Sequence, residues 1–241
     1  MPNMTEVLIT RWEDQREIKN LMGKYANCLI LNREGDMFEL LWSTRPDVSL
    51  VLNDGAYVGE AVRAYYVACA ERTALVSSLL KKRFPEETKD LPEGVANIGP
   101  FKVRPLASPV IEIAGDGDTA KGLWYCQGTY SEVEACGPVA HWTWGYFAVD
   151  FVKECDGWRI WHLQYLNDID SLCGQSWLRE AEPYPVLEEF AVLDEFQYPP
   201  YTVKKDFRPY YSPTRPTIEC PSIPEPYGTF EETFSYGVEE V

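Results

Sequence analysis

PVIEIAGDGDTAKGLWYCQGTYSEVEACGPVAHWTWGYFAVDFVKECDGWRIWHLQYLN, residues 109–167, is the stretch whose reading decides the fold. It divides into four strands: PVIEIA, TAKGLWYCQGTY, PVAHWTWGYFAVDFVKE and WRIWHLQYLN. Gly115-Asp116-Gly117-Asp118, a loop near Ser131–Gly137, and Cys155-Asp156-Gly157 separate them. Asp-Gly between alternating apolar runs is a strong short-range hairpin signal. Strands this long imply a strongly bent antiparallel sheet, with Gly122, Gly128 and Gly145 available for the bends.

Working outward on the N-terminal side, Trp12, Ile18, Leu21, Met22, Tyr25 and Leu29 recur at helical spacing and predict a helix over 5–34. Gly35-Asp36 breaks it, and a second short helix starts at 37–42. VSLVL (48–52) is a short strand before the turn signal Asn53-Asp54-Gly55. An alanine-rich third helix runs from Gly59 to about Phe84 and ends on Lys81, Lys82 and Arg83, where the helix dipole favours cations. Residues 85–108 form a Pro/Gly-rich loop, long enough to be a lid or a cavity rim.

On the C-terminal side the character changes at 176. Ten of the 18 prolines lie in 176–241, among many tyrosines and phenylalanines. Disordered tails are usually poor in aromatics, so the expectation is an ordered extended arm. The chain therefore reads as a domain over 1–175 and an arm over 176–241 that packs on the domain or on a partner subunit.

With Asp156-Gly157 as a two-residue turn, Cys155 opposes Trp158 and Phe151 opposes His162. One face then carries His141, Thr143, Gly145, Phe147, Val149 and Phe151 with Trp158, Ile160, His162 and Gln164. The other carries Trp142, Trp144, Tyr146, Ala148, Asp150 and Val152 with Arg159, Trp161, Leu163 and Tyr165. The first mixture suits a cavity and the second an interface. At about 3.3 Å per residue the two histidines lie roughly 33 Å apart, too far to share a proton.

Composition narrows the function classes. A hydrophobic content of 45% supports a real core, and a formal net charge of -16 repels phosphate backbones, which argues against nucleic acid as a partner. The N-terminus lacks the basic and apolar regions of a secretory signal. No run of 18 apolar residues spans a membrane. Seven scattered cysteines form no CxxC, so neither a metal site nor a disulfide framework is indicated. The expected location is the cytoplasm, with free thiols.

The order helix–helix–strand–helix–long bent meander resembles the nuclear transport factor 2-like (NTF2-like) α+β cone. Within that superfamily the chain is similar to the SnoaL-like group. The residues that carry the likeness are EIKNLMGKYANCL (17–29), the segment 55–66, SPVIEIAGDGDTAKGLWY (108–125) and WGYFAVDFVKECDGWRIWHL (144–163). The resemblance implies a deep apolar cavity with a few polar groups on the first helix and the sheet. It also implies proton transfer without a cofactor or metal, although many members of the superfamily are not enzymes.

On that likeness, Tyr25 matches a first-helix tyrosine aimed into the cavity, where a phenol can donate to a developing oxyanion. His162 matches a polar position on the last strand, where histidine can act as general acid or base. Asn32, Trp42, Tyr57, Tyr65, Arg104, Tyr125 and His141 complete the candidate substrate-binding set. Two positions depart from the pattern. Ile30 stands where relatives often carry an aspartate, with Asn32 and Asp36 nearest. Arg104 stands where relatives often carry a histidine. A guanidinium binds anions but does not accept a proton, and Lys102 beside it adds a second cation that could meet an acidic substrate.

The expected function is a cofactor-independent lyase of dehydratase type, or an isomerase, acting on a hydrophobic ring-containing small molecule, in a homodimer or homotrimer. The alternatives are a non-catalytic binding or assembly module, and an epoxide-type hydrolase using a carboxylate such as Asp36 or Asp150.

Overall fold

The computed structural model describes residues 3–91, 98–176, 185–212 and 221–238. Parts of the 85–108 loop and of the arm, and Cys220, lie outside the described residues.

Helix α1 (Met4–Ile30) opens on a capping box. The Asn3 side chain accepts from the Glu6 amide, and the Glu6 carboxylate accepts from the Asn3 amide. Its apolar stripe buries Ile18, Leu21, Met22, Tyr25 and Leu29, while Trp12 stays 76% exposed because the first turns of the helix project past the sheet. Asn32, at a φ of 51°, ends the helix and turns the chain into α2 (Glu34–Leu41). Strands β1 (Ser49–Leu52) and β2 (Gly55–Val58) pair across the two-residue turn Asn53-Asp54. Helix α3 (Glu60–Arg83) follows, then the single turn α4 (Pro85–Thr88).

The sheet is completed by β3 (Phe101–Val103), β4 (Ala107–Ile113), β5 (Thr119–Glu134), β6 (Gly137–Glu154), β7 (Gly157–Leu172) and β8 (Val203–Lys204). Its order is β3-β5-β6-β7-β1-β2-β8, with β4 pairing β5. All pairs are antiparallel except β1 with β7. The architecture is the α+β NTF2-like cone: helices α1–α3 lie on the inner face of a long bent sheet. Phe147, Val149, Phe151, Trp158, Ile160 and Leu163 of that face pack against Tyr25, Met22, Leu41 and Trp42 in one apolar cluster.

The register corrects the expected hairpin. The β6–β7 turn is Cys155-Asp156, so Glu154 opposes Gly157 and Phe151 opposes Ile160. Two bulges then follow in β7, at Trp161 and at Asp168, each placing one extra residue against the regular β6. A one-residue shift exchanges faces. Beyond the first bulge Leu163 and Tyr165 therefore turn inward, while His162 and Gln164 move to the outer face. The expected assignment holds for Trp158 and Ile160 and is reversed for His162, Gln164, Leu163 and Tyr165.

Part of the outer face is covered by residues 221–238. Phe234 and Tyr236 pack on Leu123 and Ala148, and the Gln164 side chain donates to the Tyr236 carbonyl at 2.8 Å. Beneath them Lys121 and Asp150, both fully buried, pair at 2.6 Å. The second Asp150 oxygen accepts from the Tyr236 amide at 2.7 Å and the Ser235 hydroxyl at 3.0 Å. The rings of Phe230 and Phe234 lie 4.4 and 4.6 Å from the Lys121 ammonium. Residues 196–211 run along the β2 edge on the other side.

Candidate functional site

A chamber of about 120 Å³ lies between the helices and the inner face of the sheet. Tyr25 and Leu29 reach it from α1, Glu34 from the first turn of α2, and Leu50 and Leu52 from β1. Tyr65, Tyr66 and Cys69 come from α3, and Phe147 and Tyr165 from β6 and β7. Lys102, Arg104 and Glu132 form its polar end, and Tyr198 closes it from the arm. A roomier depression lined by Arg11, Glu112, Tyr227 and Glu232 lies on the surface, and so do two others. One is lined by Glu17, Lys24, Lys153 and Asp156, the other by Cys136, Cys173 and Pro185. Both are wide open, and neither contains a buried reactive cluster.

Inside the chamber the Tyr25 and Tyr66 hydroxyls lie 3.3 Å apart. Burial pushes the Tyr25 phenol up to about 12, against the pull of the Tyr66 contact and the Arg104 charge. It stays protonated at neutral pH, as a donor. Glu34 is 1% exposed, and its Oε1 accepts from the Lys102 ammonium at 2.8 Å. Its Oε2 is buried with no hydrogen-bond partner among the described residues. Burial lowers the Lys102 pKa, but Glu34 and Glu132 outweigh it and hold it above the usual lysine value. Glu132 in turn meets Arg72 at 3.3 Å.

Arg104 differs from the other cations. Its guanidinium stacks over Tyr165 at 4.4 Å and over Tyr130 at 5.4 Å. It forms no ion pair among the described residues, and its Nη1 and the Tyr165 hydroxyl are both buried without partners among them. A second cluster begins behind Tyr130. The His141 Nδ1 lies 2.8 Å from Asp170, which also accepts from the Tyr130 hydroxyl at 3.0 Å. Glu134 sits 3.7 Å from His141 Nε2, an ion-pair distance and not a hydrogen bond. Burial would lower the His141 pKa, but the two carboxylates outweigh it and hold the imidazolium at about 9.

The family model for the SnoaL-like domain matches residues 10–164. The chain belongs to the SnoaL-like domain family. No curated protein matches its sequence. Among solved structures it is similar to a Kribbella flavida protein at 15% identity, covering 67% of this chain and 95% of that one, TM-score 0.49. It is similar to an NTF2-like superfamily protein from Salmonella enterica at 15% identity, 69% and 99% coverage, TM-score 0.47. A hexachlorocyclohexane dehydrochlorinase from Novosphingobium barchaimii follows at 10% identity, 73% and 99% coverage, TM-score 0.48.

Of the residues expected at the site of this SnoaL-like domain, Tyr25, Tyr65 and Arg104 line the chamber. Trp42 is core packing beside it, stacked on Phe38. Tyr57 stacks on Tyr65 at 4.8 Å, one layer back, and donates to the Pro199 carbonyl. Asn32 donates to the Pro100 carbonyl at 2.9 Å. His141 lies behind Tyr130, outside the lining. Two placements differ from expectation. Tyr125 falls on the outer face, 40% exposed against Tyr146, because it opposes Tyr146 in the β5–β6 ladder. His162 is turned to the outer face by the Trp161 bulge, away from Tyr25.

The carboxylates named for hydrolysis also lie elsewhere. Asp36 is half exposed and paired with Arg33, and Asp150 is held by Lys121. The carboxylates that line the SnoaL-like domain's chamber are Glu34 and Glu132; sequence reasoning passed over Glu34 in favour of Asn32 and Asp36. Tyr66, Tyr165 and Tyr198 were missed too. Tyr66 adjoins a named residue, but Tyr165 was assigned to the wrong face and Tyr198 lies beyond the matched segment.

Proposed function

We propose that this SnoaL-like domain is a lyase or isomerase working without a cofactor on a small ring-containing molecule, with Glu34 in place of His162 as the proton acceptor. One observation supports the reading best: the Oε2 of Glu34 and the Nη1 of Arg104, both without a hydrogen-bond partner among the described residues, and the Tyr25–Tyr66 phenol pair all border one chamber. Glu34 Oε2 would take a proton from carbon. Tyr25, Tyr66 and Arg104 would hold the oxygen on which charge develops, or from which a leaving group departs. Lys102 positions Glu34 through Oε1 and leaves Oε2 for the substrate. A volume of about 120 Å³ suits one ring, below the usual 300–1,000 Å³ or so of drug-sized pockets. Association of two or three copies through the exposed outer-face residues Tyr125 and Trp142 belongs to the same reading.

The test is turnover of a panel of one-ring hydroxy and keto compounds by Glu34→Gln and Tyr25→Phe. Loss of an acid/base group costs about 10²–10⁴-fold in rate. Turnover unchanged in both variants would sink the assignment. The non-catalytic alternative is favoured by the absence of histidine from the lining, and it predicts ligand binding with no turnover across the panel.

A further inference from the structure

We infer that the chamber selects a single aromatic ring bearing one anionic group, and that Tyr198 of the C-terminal arm sets the one-ring limit. The inference rests on the proposed site and names its ligand class. The anionic part follows from the charges. Lys102 is matched by Glu34 and Glu132, and Arg72 by Glu132. Arg104 alone among the lining cations has no carboxylate partner among the described residues, and its Nη1 is buried and unbonded. Arg104 as a whole is only half-buried, but leaving its buried Nη1 unbonded carries a desolvation cost, and a carboxylate or phenolate bonded to Nη1 relieves it. The aromatic part follows from the walls, where Tyr65, Phe147 and Tyr165 present rings to the space. A cavity of about 150 Å³ accommodates benzene, so a chamber of about 120 Å³ is at most of one-ring size and excludes a fused pair.

Tyr198 is the most exposed residue of the lining, at 41%. Its ring lies 5.8 Å from Tyr65 and 5.3 Å from Phe196. Its place is fixed from behind. Pro199 and Pro200 stiffen the next residues, and the Pro199 carbonyl accepts from Tyr57. Tyr201 stacks on Tyr57 at 4.7 Å and donates to Asp54 at 2.6 Å. Its ring sits so close over Gly55 that an added Cβ there would lie 2.4 Å from it. Val203 and Lys204 then pair with β2. The arm thus carries a rigid door on a segment that the family match does not reach, held against residues that it does.

Benzoate, benzamide and 2-naphthoate, titrated calorimetrically, test both parts. The wild-type chain is expected to bind benzoate, to bind benzamide more weakly, and to reject 2-naphthoate. Tyr198→Ala should raise the 2-naphthoate-to-benzoate affinity ratio about tenfold or more, and Tyr198→Phe should leave that ratio unchanged. Arg104→Gln should weaken benzoate by about tenfold and benzamide little. Thermal melting identifies any variant that fails to fold, and Tyr198→Leu then replaces the alanine form. Benzoate binding with an unaltered size ratio in the truncated variant that folds overturns the role of Tyr198 and leaves the proton-transfer reading standing. Equal loss of benzoate and benzamide in Arg104→Gln overturns the anion class. No binding of any probe overturns the ligand class as a whole, while turnover of neutral ring compounds lost in Glu34→Gln would still support the proposed chemistry.

Discussion

Ser49 Oγ lies 3.0 Å from His162 Nδ1, on the side of the sheet away from the chamber. The two residues oppose each other in the parallel β1–β7 pair, and both are nearly fully buried. Gly237 of the arm covers the imidazole so closely that a Cβ there would stand 2.9 Å from the ring. Trp161 stacks on its flank at 4.6 Å. This histidine is therefore a neutral structural group, held under the arm. Burial pushes its pKa down to about 4, with the nearby Asp47 charge opposing and those of Lys121 and Arg45 adding to it.

The sign of the resulting pH effect follows directly. The folded pKa lies below the unfolded value, so between about 4 and 6.5 the unfolded chain binds more protons and stability falls as pH falls. From pH 7 to pH 5 the loss attributable to His162 is about 2 kcal/mol. Urea unfolding at the two pH values checks it, and His162→Gln should remove that part of the slope. An unchanged slope in the variant would refute the buried neutral state.

His141 has the opposite sign. Its folded pKa of about 9 lies above the unfolded value, so its contribution is complete below about 6.5 and is lost as pH rises through 9. With two histidines in the chain, imidazole proton NMR resolves both. One resonance should titrate near 9 and the other should not move above pH 5. Asp170→Asn should bring the higher value down by about one unit or more, because it removes the 2.8 Å partner.

The Lys121–Asp150 pair fastens the arm, so its two halves are not separable. Burial lowers the Lys121 pKa and raises that of Asp150, in each case against the attraction of the partner. Lys121→Met leaves Asp150 buried without its cation and should cost about 3–5 kcal/mol. Lys121→Met with Asp150→Leu should cost less than Lys121→Met alone, because no orphaned charge remains. Denaturant unfolding of the two variants makes the comparison. A double variant no better than the single one would contradict the charge argument.

Much of this was legible in the sequence because it rests on periodicity. The helical stripe ending at Leu29, the Asn53-Asp54 turn and the long β5–β6–β7 meander follow from apolar spacing and turn residues. What was not legible depends on single residues that break a period without leaving a mark. The Trp161 bulge carries no Gly or Pro, yet it reverses His162 and Tyr165 between faces. Asn32 in a left-handed conformation swings α2 so that Glu34 points inward and Asp36 outward. Tyr198 is brought to the chamber by an aperiodic arm, where no spacing rule applies.

The second β7 bulge offers the most direct mechanical test. Gly145 lies where β7 passes from Asn167 to Ile169, and the backbone of the neighbouring strand comes very near. A Cβ built on it would stand 2.0 Å from the Leu166 carbonyl oxygen and 2.9 Å from the Asn167 Cα. Neither atom is the end of a flexible side chain, so the strands must part. Gly145→Ala should destabilise by about 3 kcal/mol, the upper end of ordinary point substitutions. Asn53 lies just beyond this point, where it accepts from the Asn167 amide and donates to the Asn167 carbonyl. Parting the strands there should also speed amide exchange at Asn167. Gly117→Ala is the comparison, because its added Cβ meets nothing within 4 Å and its φ of 84° is its sole strain. If the two variants unfold at the same denaturant concentration, close strand approach is not what Gly145 provides.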